Sequence, residues 1–167
     1  MLFRSITLPN VEVAEVLEVS GIEGGITLKG STYSAGSQTY QGAVMVESNT
    51  SFIVASGDVV FDLAIDGNGV PRDITIDAGD GNVTIETIGG GVRVGAFTVV
   101  NGNEVTIGSI RAASIEVGAI TAVYGALDTN GSLGIQLTGE SISLQGTVGT
   151  TGNGPVTIDN SGALVID

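Results

Sequence analysis

Short apolar beats separated by polar turns run the length of the chain. "ITL" at Ile6, "VEV" at Val11, "ITL" at Ile26, "ITI" at Ile74, "VTI" at Val83, "VRV" at Val92, "VTI" at Val105, "IEV" at Ile115, "ISL" at Ile142 and "VTI" at Val156 share one form, an aliphatic residue on each side of a polar one. Alternation with a period of two marks a half-buried strand. "DGNG", "AGDGN", "GGG", "NGN", "TNG" and "TGNG" stand between the beats. Gly, Asn and Asp tolerate the positive φ of tight turns. One stretch has competing character: residues 11–20, "VEVAEVLEVS", place Glu at every third position. Its four Val disfavour a helix, so the pattern predicts a strand with a bulge at Ala14, an N-terminal helix being the alternative.

A longer period overlies the beats. Ile53, Ile74, Val94, Ile115, Ile135 and Val156 follow one another at steps of 20 or 21, and Thr7 and Thr27 are 20 apart. A looser series runs through Val83, Val105, Val123, Ile142 and Leu164. Several short strands within a period of about 20 residues predict a parallel β-helix, or β-solenoid, in which stacked coils bury a continuous core that no coil could bury alone. A Greek-key β-sandwich is the alternative, because it also strings short strands between turns. Three-residue strands with glycine corners favour the solenoid, and so does the core composition. Hydrophobic residues make up 42% of the chain and aromatic ones only 4%, with no Trp. The core is therefore Val, Ile, Leu and Ala, where a sandwich would use more aromatics to fill its greater width.

The 167 residues are read as a single solenoid segment, a piece of a longer repeat protein. Twenty-seven Gly with three Pro and no G-X-Y period point to many tight turns and away from collagen. Charge is one-sided: Arg4, Lys29, Arg72, Arg93 and Arg111 face 18 acidic residues, for a net charge of −13. Such a surface repels phosphate backbones and anionic membranes. The absence of cysteine argues against a disulfide-stapled secreted domain, although long bacterial surface proteins also do without it. "MLFRSITLPN" has no signal-peptide apolar region, and no apolar run approaches the roughly 18 residues of a membrane helix.

The phrase "AGSQTYQGAVMVESNTSFIVASGDVVFDLAIDGNG" resembles the strand repeats of filamentous-haemagglutinin-like surface proteins. Gln38, Thr39, Tyr40, Gly42, Ala43 and Val44 match the family's Q-T-Y-x-G-A-V. Asn49 and Thr50 fall in its hydrophilic turn, and Gly57, Val59 and Phe61 match the next strand. "DITIDAGDGNVTI" is similar to the family's x-L-T-V-x-A-G-x-G-x-V-T-F step, so the close match covers residues 33–88. The resemblance implies a right-handed parallel β-helix, a long exported bacterial protein, and a role as an adhesin or surface fibre. The family's N-terminal secretion domain is not recognisable here, which implies an internal or C-terminal piece. Read without the family, Gly36 and Gly42 bracket a short extended segment. Tyr40 is expected to cap an apolar layer with its hydroxyl at the rim, and Gln38 and Thr39 to hydrogen-bond toward the coil above.

Candidate chemistry is sparse. No His and no Cys removes Ser-His-Asp and Cys-His nucleophile systems and zinc sites built on those ligands. Asp58, Asp62, Asp66, Asp73, Asp77 and Asp80 are the densest supply of carboxylates for acidic glycoside chemistry, but no Trp offers a sugar platform. Calcium is the better use of Asp66, Asp77 and Asp80, which sit beside Gly turns, although neither acidic turn fits the EF-hand or the nonapeptide calcium pattern. Solvated turns are the plain reading of the same residues. Thr7, Thr27, Thr75, Thr84, Thr106 and Thr157 each stand mid-triplet and are expected to face solvent, too irregularly paired for an ice-binding lattice. The expectation is a non-catalytic shaft, stalk or fibre segment with no catalytic, metal or cofactor residue assigned. Its expected partners are end-to-end copies or neighbouring repeats, with a surface glycan or protein as a further possibility. The alternatives are a glycan- or protein-binding β-helix module, with "VYGALDTNGS" near Tyr124 as the one candidate insertion, and a polymerising β-helix of the bactofilin type.

Overall fold

In the computed structural model, which describes residues 5–21 and 24–167, the chain winds as a β-solenoid of about eight coils of about 21 residues. Arg4 lies outside the described residues. The first coil holds β1 (Ile6–Leu8), β2 (Val11–Glu12) and β3 (Val16–Ser20). The second holds β4 (Ile26–Leu28), β5 (Thr32–Ala35) and β6 (Ser37–Gln41). The third holds β7 (Val44–Val46), β8 (Thr50–Val54) and β9 (Val59–Phe61). The fourth holds β10 (Ile65–Gly67), β11 (Ile74–Asp77) and β12 (Val83–Ile88). Above them come β13 (Val94–Asn101), β14 (Glu104–Gly118) and β15 (Thr121–Gly139), then β16 (Ser141–Leu144), β17 (Val148–Thr150), β18 (Val156–Asn160) and β19 (Leu164–Ile166). The nineteen strands of the described residues belong to one sheet, and every pairing is parallel. A Greek-key sandwich is built from antiparallel pairs, so that alternative is excluded.

Each coil has three sides, and each side stacks one inward column. Side one runs Ile6, Ile26, Val44, Ile65, Ile88, Ile110, Leu127, Val148. Side two runs Val11, Tyr33, Phe52, Ile76, Val99, Val117, Leu137, Ile158. Side three runs Val19, Tyr40, Phe61, Ile85, Ile107, Tyr124, Leu144, Ile166. At a strand spacing of about 4.8 Å, eight coils give a rod roughly 34 Å long. β14 and β15 pass round two corners each without leaving the ladder, so one continuous strand supplies residues to all three sides. Residues 11–20 form two strands meeting at a corner around Ala14, where a bulge in one strand was expected.

The 20–21-residue series is right at four of its six positions. Ile74, Ile115, Ile135 and Val156 lie in one column. Phe97 holds the place expected of Val94, which is buried one corner away beside Ala112. Thr50 pairs with Ile74, whereas Ile53 faces solvent at 40% exposure. The reason is unequal coil length: the true steps are 24 from Thr50 to Ile74, 23 to Phe97 and 18 to Ile115. A long and a short coil cancel, so a uniform period regains register at Ile115. In the looser series Ala122, not Val123, stacks between Val105 and Ile142. "VRV" is not a strand: Val92 and Arg93 form the corner before β13. Thr27, Thr75, Thr84 and Thr106 do point outward between buried neighbours, as Thr84 does between Val83 and Ile85, whereas the flanks of Thr7 and Thr157 in the two end coils are partly or largely exposed.

Candidate functional site

The phrase around Gln38 builds the least ordinary part of the core. Gln38 and Tyr40 alternate inward on β6, and both are fully buried. The Tyr40 hydroxyl donates to Gln38 Oε1 at 2.8 Å, and Gln38 Nε2 donates to the carbonyls of Tyr33 at 2.8 Å and Ile53 at 3.0 Å. Ile53 belongs to the next coil, so Gln38 does tie two coils together. The Tyr40 hydroxyl is not at the rim. Its para position on an inward-facing residue carries it into the core, where the Gln38 amide satisfies it. Burial pushes its pKa well above the ordinary phenol value, with a smaller push from Tyr33. Tyr33 hands its hydroxyl to the Leu8 carbonyl at 2.9 Å and receives the Gly30 N–H at 2.9 Å. Phe52 and Phe61 complete the group, with Tyr40 stacked on Phe61 at 4.7 Å and Phe52 edge-on to both. Gly42 closes the phrase at φ 148°, where an added Cβ would lie 2.9 Å from the Gly21 carbonyl oxygen.

The acidic turns act as braces between coils. Asp66 Oδ1 accepts the N–H groups of Gly91 at 3.0 Å and Val92 at 3.2 Å, one coil further on. Asp73 Oδ1 accepts from Ala96 N–H at 2.8 Å, while its own N–H donates to Asn49 Oδ1 in the coil before at 3.1 Å. Asp58 Oδ1 takes the Asn82 N–H at 2.9 Å, and Asn82 Oδ1 takes the Glu104 N–H at 3.2 Å. Asp77 Oδ1 accepts from Gly79 N–H at 3.3 Å and from the Asn101 amide at 3.1 Å. Corner N–H groups have no ladder partner of their own, and a short Asp or Asn in the adjacent coil supplies the acceptor. Asp62 and Asp80 are exposed. The structure does not bring Asp66, Asp77 and Asp80 together, and among the described residues no three His, Cys, Asp or Glu side chains gather as metal ligands would.

Charge is sorted by corner. Lys29, Arg72, Arg93 and Arg111, the described basic residues, all lie at the corner between sides one and two. Arg93 pairs there with the Asp128 carboxylate and donates to the carbonyls of Ala112 at 3.0 Å and Asp128 at 2.8 Å. Arg111 approaches the same carboxylate at 4.0 Å and bonds the Gly90 carbonyl at 3.0 Å, which staples coils five to seven. Among the described residues, the corner between sides two and three holds Glu12, Glu15, Asp58, Asp77, Asp80, Glu104, Glu140 and Asp159 and no Lys or Arg. That corner is also concave. A groove of about 520 Å³ crosses coils four to eight over Gly79, Gly102, Gly118 and Gly139, and one of about 440 Å³ crosses coils one to three beside Ala14, Gly36 and Ala55. Val100 and Ile120 stand about half exposed in the longer groove. Sequence reading missed this surface because its residues become neighbours only once the coil register is known.

The stretch near Tyr124 is not a long insertion, although β15 carries three more residues than β14 between Thr129 and Gly134. It lies within β15, with Tyr124 buried in the side-three column between Ile107 and Leu144. Burial raises its pKa, too, well above the ordinary phenol value. Leu133, just past this stretch and 77% exposed, is the one large apolar side chain that β15 presents to solvent. No family model, no curated protein and no solved structure matches the chain.

Proposed function

We propose that this solenoid is a non-catalytic shaft or fibre segment of a bacterial cell-surface or secreted adhesin-like protein. One observation carries the reading. The ladder runs without interruption through all eight coils on all three sides, over a core of stacked aliphatic and aromatic residues braced at its corners. Main-chain hydrogen bonds directed along the axis, with side chains interlocked between coils, resist bending and extension, which suits a part that holds another region at a distance. The likeness of residues 33–88 to filamentous-haemagglutinin-like repeats supports the surface location, and the phrase behind it is the one that fills coils two and three.

Partner contacts at the rod's ends belong to the same proposal. The inward columns reach the last coil at Val156, Leu164 and Ile166, which are 47%, 42% and 68% exposed. A neighbouring repeat or another copy continuing the parallel ladder would cover them. Antibody labelling of intact producing cells tests the location. Labelling that is removed by external protease is the expected result. Labelling that needs permeabilised cells would overturn the surface assignment.

A further inference from the structure

We propose that the grooved corner between sides two and three is a docking surface for an extended basic peptide segment of a partner protein. This inference is independent of the shaft reading, since a rod in any location would carry the same corner.

Shape, charge and apolar contact each contribute. The longer groove spans four coil intervals, about 19 Å, and its floor is made of glycines where the chain turns. A peptide in extended form covers that length with about six residues. The carboxylates of Asp80, Glu140 and Asp159 stand along the groove on coils four, seven and eight, so they face a line and not a point. Unlike Asp58, Asp66, Asp73 and Asp77, which are engaged by N–H groups, these three accept no hydrogen bond from the described residues. Among the described residues no Lys or Arg shares the corner, so none of them neutralises these carboxylates. A concave strip of one sign concentrates ligands of the other. Val100 and Ile120, 50% and 51% exposed, lie between the charged steps and offer contact to the aliphatic stems of Lys or Arg. A single cation would use the charge but not the length or the apolar residues. A sugar chain would find no aromatic side chain along the groove to stack on.

The test is fluorescence anisotropy with a labelled peptide of about eight residues, alternating lysine and valine, in about 150 mM salt, where only close charges act strongly. The wild-type chain is expected to bind it and to ignore the same design with glutamate in place of lysine. Asp80→Asn/Glu140→Gln/Asp159→Asn should weaken binding about tenfold or more. Glu18→Gln/Asp62→Asn/Glu86→Gln removes the same charge away from the groove and should change it less than about threefold. Ile120→Asn, which leaves the charge untouched, should weaken it at least about threefold. Equal losses from the two triple variants would mean diffuse attraction and would overturn the proposal. So would an absence of binding by the wild-type chain, or a groove that responds to calcium alone. Every substituted side chain is on the surface, and circular dichroism confirms that each variant is folded before binding is read.

Discussion

Consider Gln38→Leu, alone and with Tyr40→Phe. Gln38 is an amide buried at 0% exposure, and its three hydrogen bonds reach Tyr33, Tyr40 and Ile53. Leucine fills nearly the same volume, so the cost is polar and not a cavity. It strands the Tyr40 hydroxyl in the core and takes one partner from each of two carbonyls. A buried group left unpaired costs about 1–3 kcal/mol. The hydroxyl and the two partly served carbonyls together bring Gln38→Leu to about 3 kcal/mol. Tyr40→Phe alone strands the Gln38 Oε1 and costs about 1.5 kcal/mol. With both changes the hydroxyl and its acceptor disappear together, so the double variant should cost about 1–2 kcal/mol less than the sum of the singles. Urea unfolding followed by far-UV circular dichroism, with each variant compared at its midpoint and a common slope, gives the four corners of the cycle. Additivity within about 0.5 kcal/mol would refute the claim that this pair is one buried unit. So would a Gln38→Leu variant as stable as the wild type.

Further expectations rest on other features. Ile115→Asp places an unpaired carboxylate in a fully stacked column and should prevent folding, whereas Glu116→Ala on the outer surface should shift stability by no more than about 0.5 kcal/mol, both read by thermal melts. Gly42→Ala forces a side chain to φ 148° against the Gly21 carbonyl and should cost about 1–3 kcal/mol in the same assay, while Ala43→Gly beside it costs less than about 1. Tyr40 and Tyr124 stay neutral in the fold beyond the pH at which an unfolded tyrosine ionises. Their folded pKa values are raised, so the stability they confer is full below about pH 10 and declines above it, by roughly 2.7 kcal/mol per pH unit for the pair. An ultraviolet titration should show both phenolates appearing only together with unfolding; ordinary titration near pH 10 in a folded chain would contradict the burial.

Strand identity was legible in the sequence because each triplet carries its own signal, an aliphatic pair round an outward residue, as in Val83-Thr84-Ile85. The solenoid was legible because Ile74, Ile115, Ile135 and Val156 do fall in one column. Some register partners were legible too, Thr7 with Thr27, Val83 with Val105 and Ile142 with Leu164 among them, and others were not. Corners absorb extra or missing residues without disturbing the sides, so the loop that carries Gly69 and Pro71 pushes Ile53 out of step and a short sixth coil exchanges Val123 for Ala122. The bond from Gln38 to the next coil was legible, but the Tyr40 hydroxyl was expected at the rim, because composition cannot show that an inward Gln38 amide waits for it in the core. The paired Asx residues Asn49 with Asp73 and Asp58 with Asn82, each 24 apart, held a readable trace of the braces, but only for a reader who already had the length of that coil.

Because the strands of each interior coil pair only with those of the coil before and the coil after it, the Arg93–Asp128 staple across coil six being the exception, reach is a variable that evolution can adjust in whole units. Duplicating one coil in frame lengthens the rod by about 4.8 Å and asks nothing of the others except that the two new junctions match. Deleting one shortens it by the same amount. A globular core offers no such increment, since any inserted strand there must be accommodated from every direction at once. Spacing between whatever lies on the two sides of this segment can therefore be tuned by copy number, without redesigning the ladder or the core of the coils that remain.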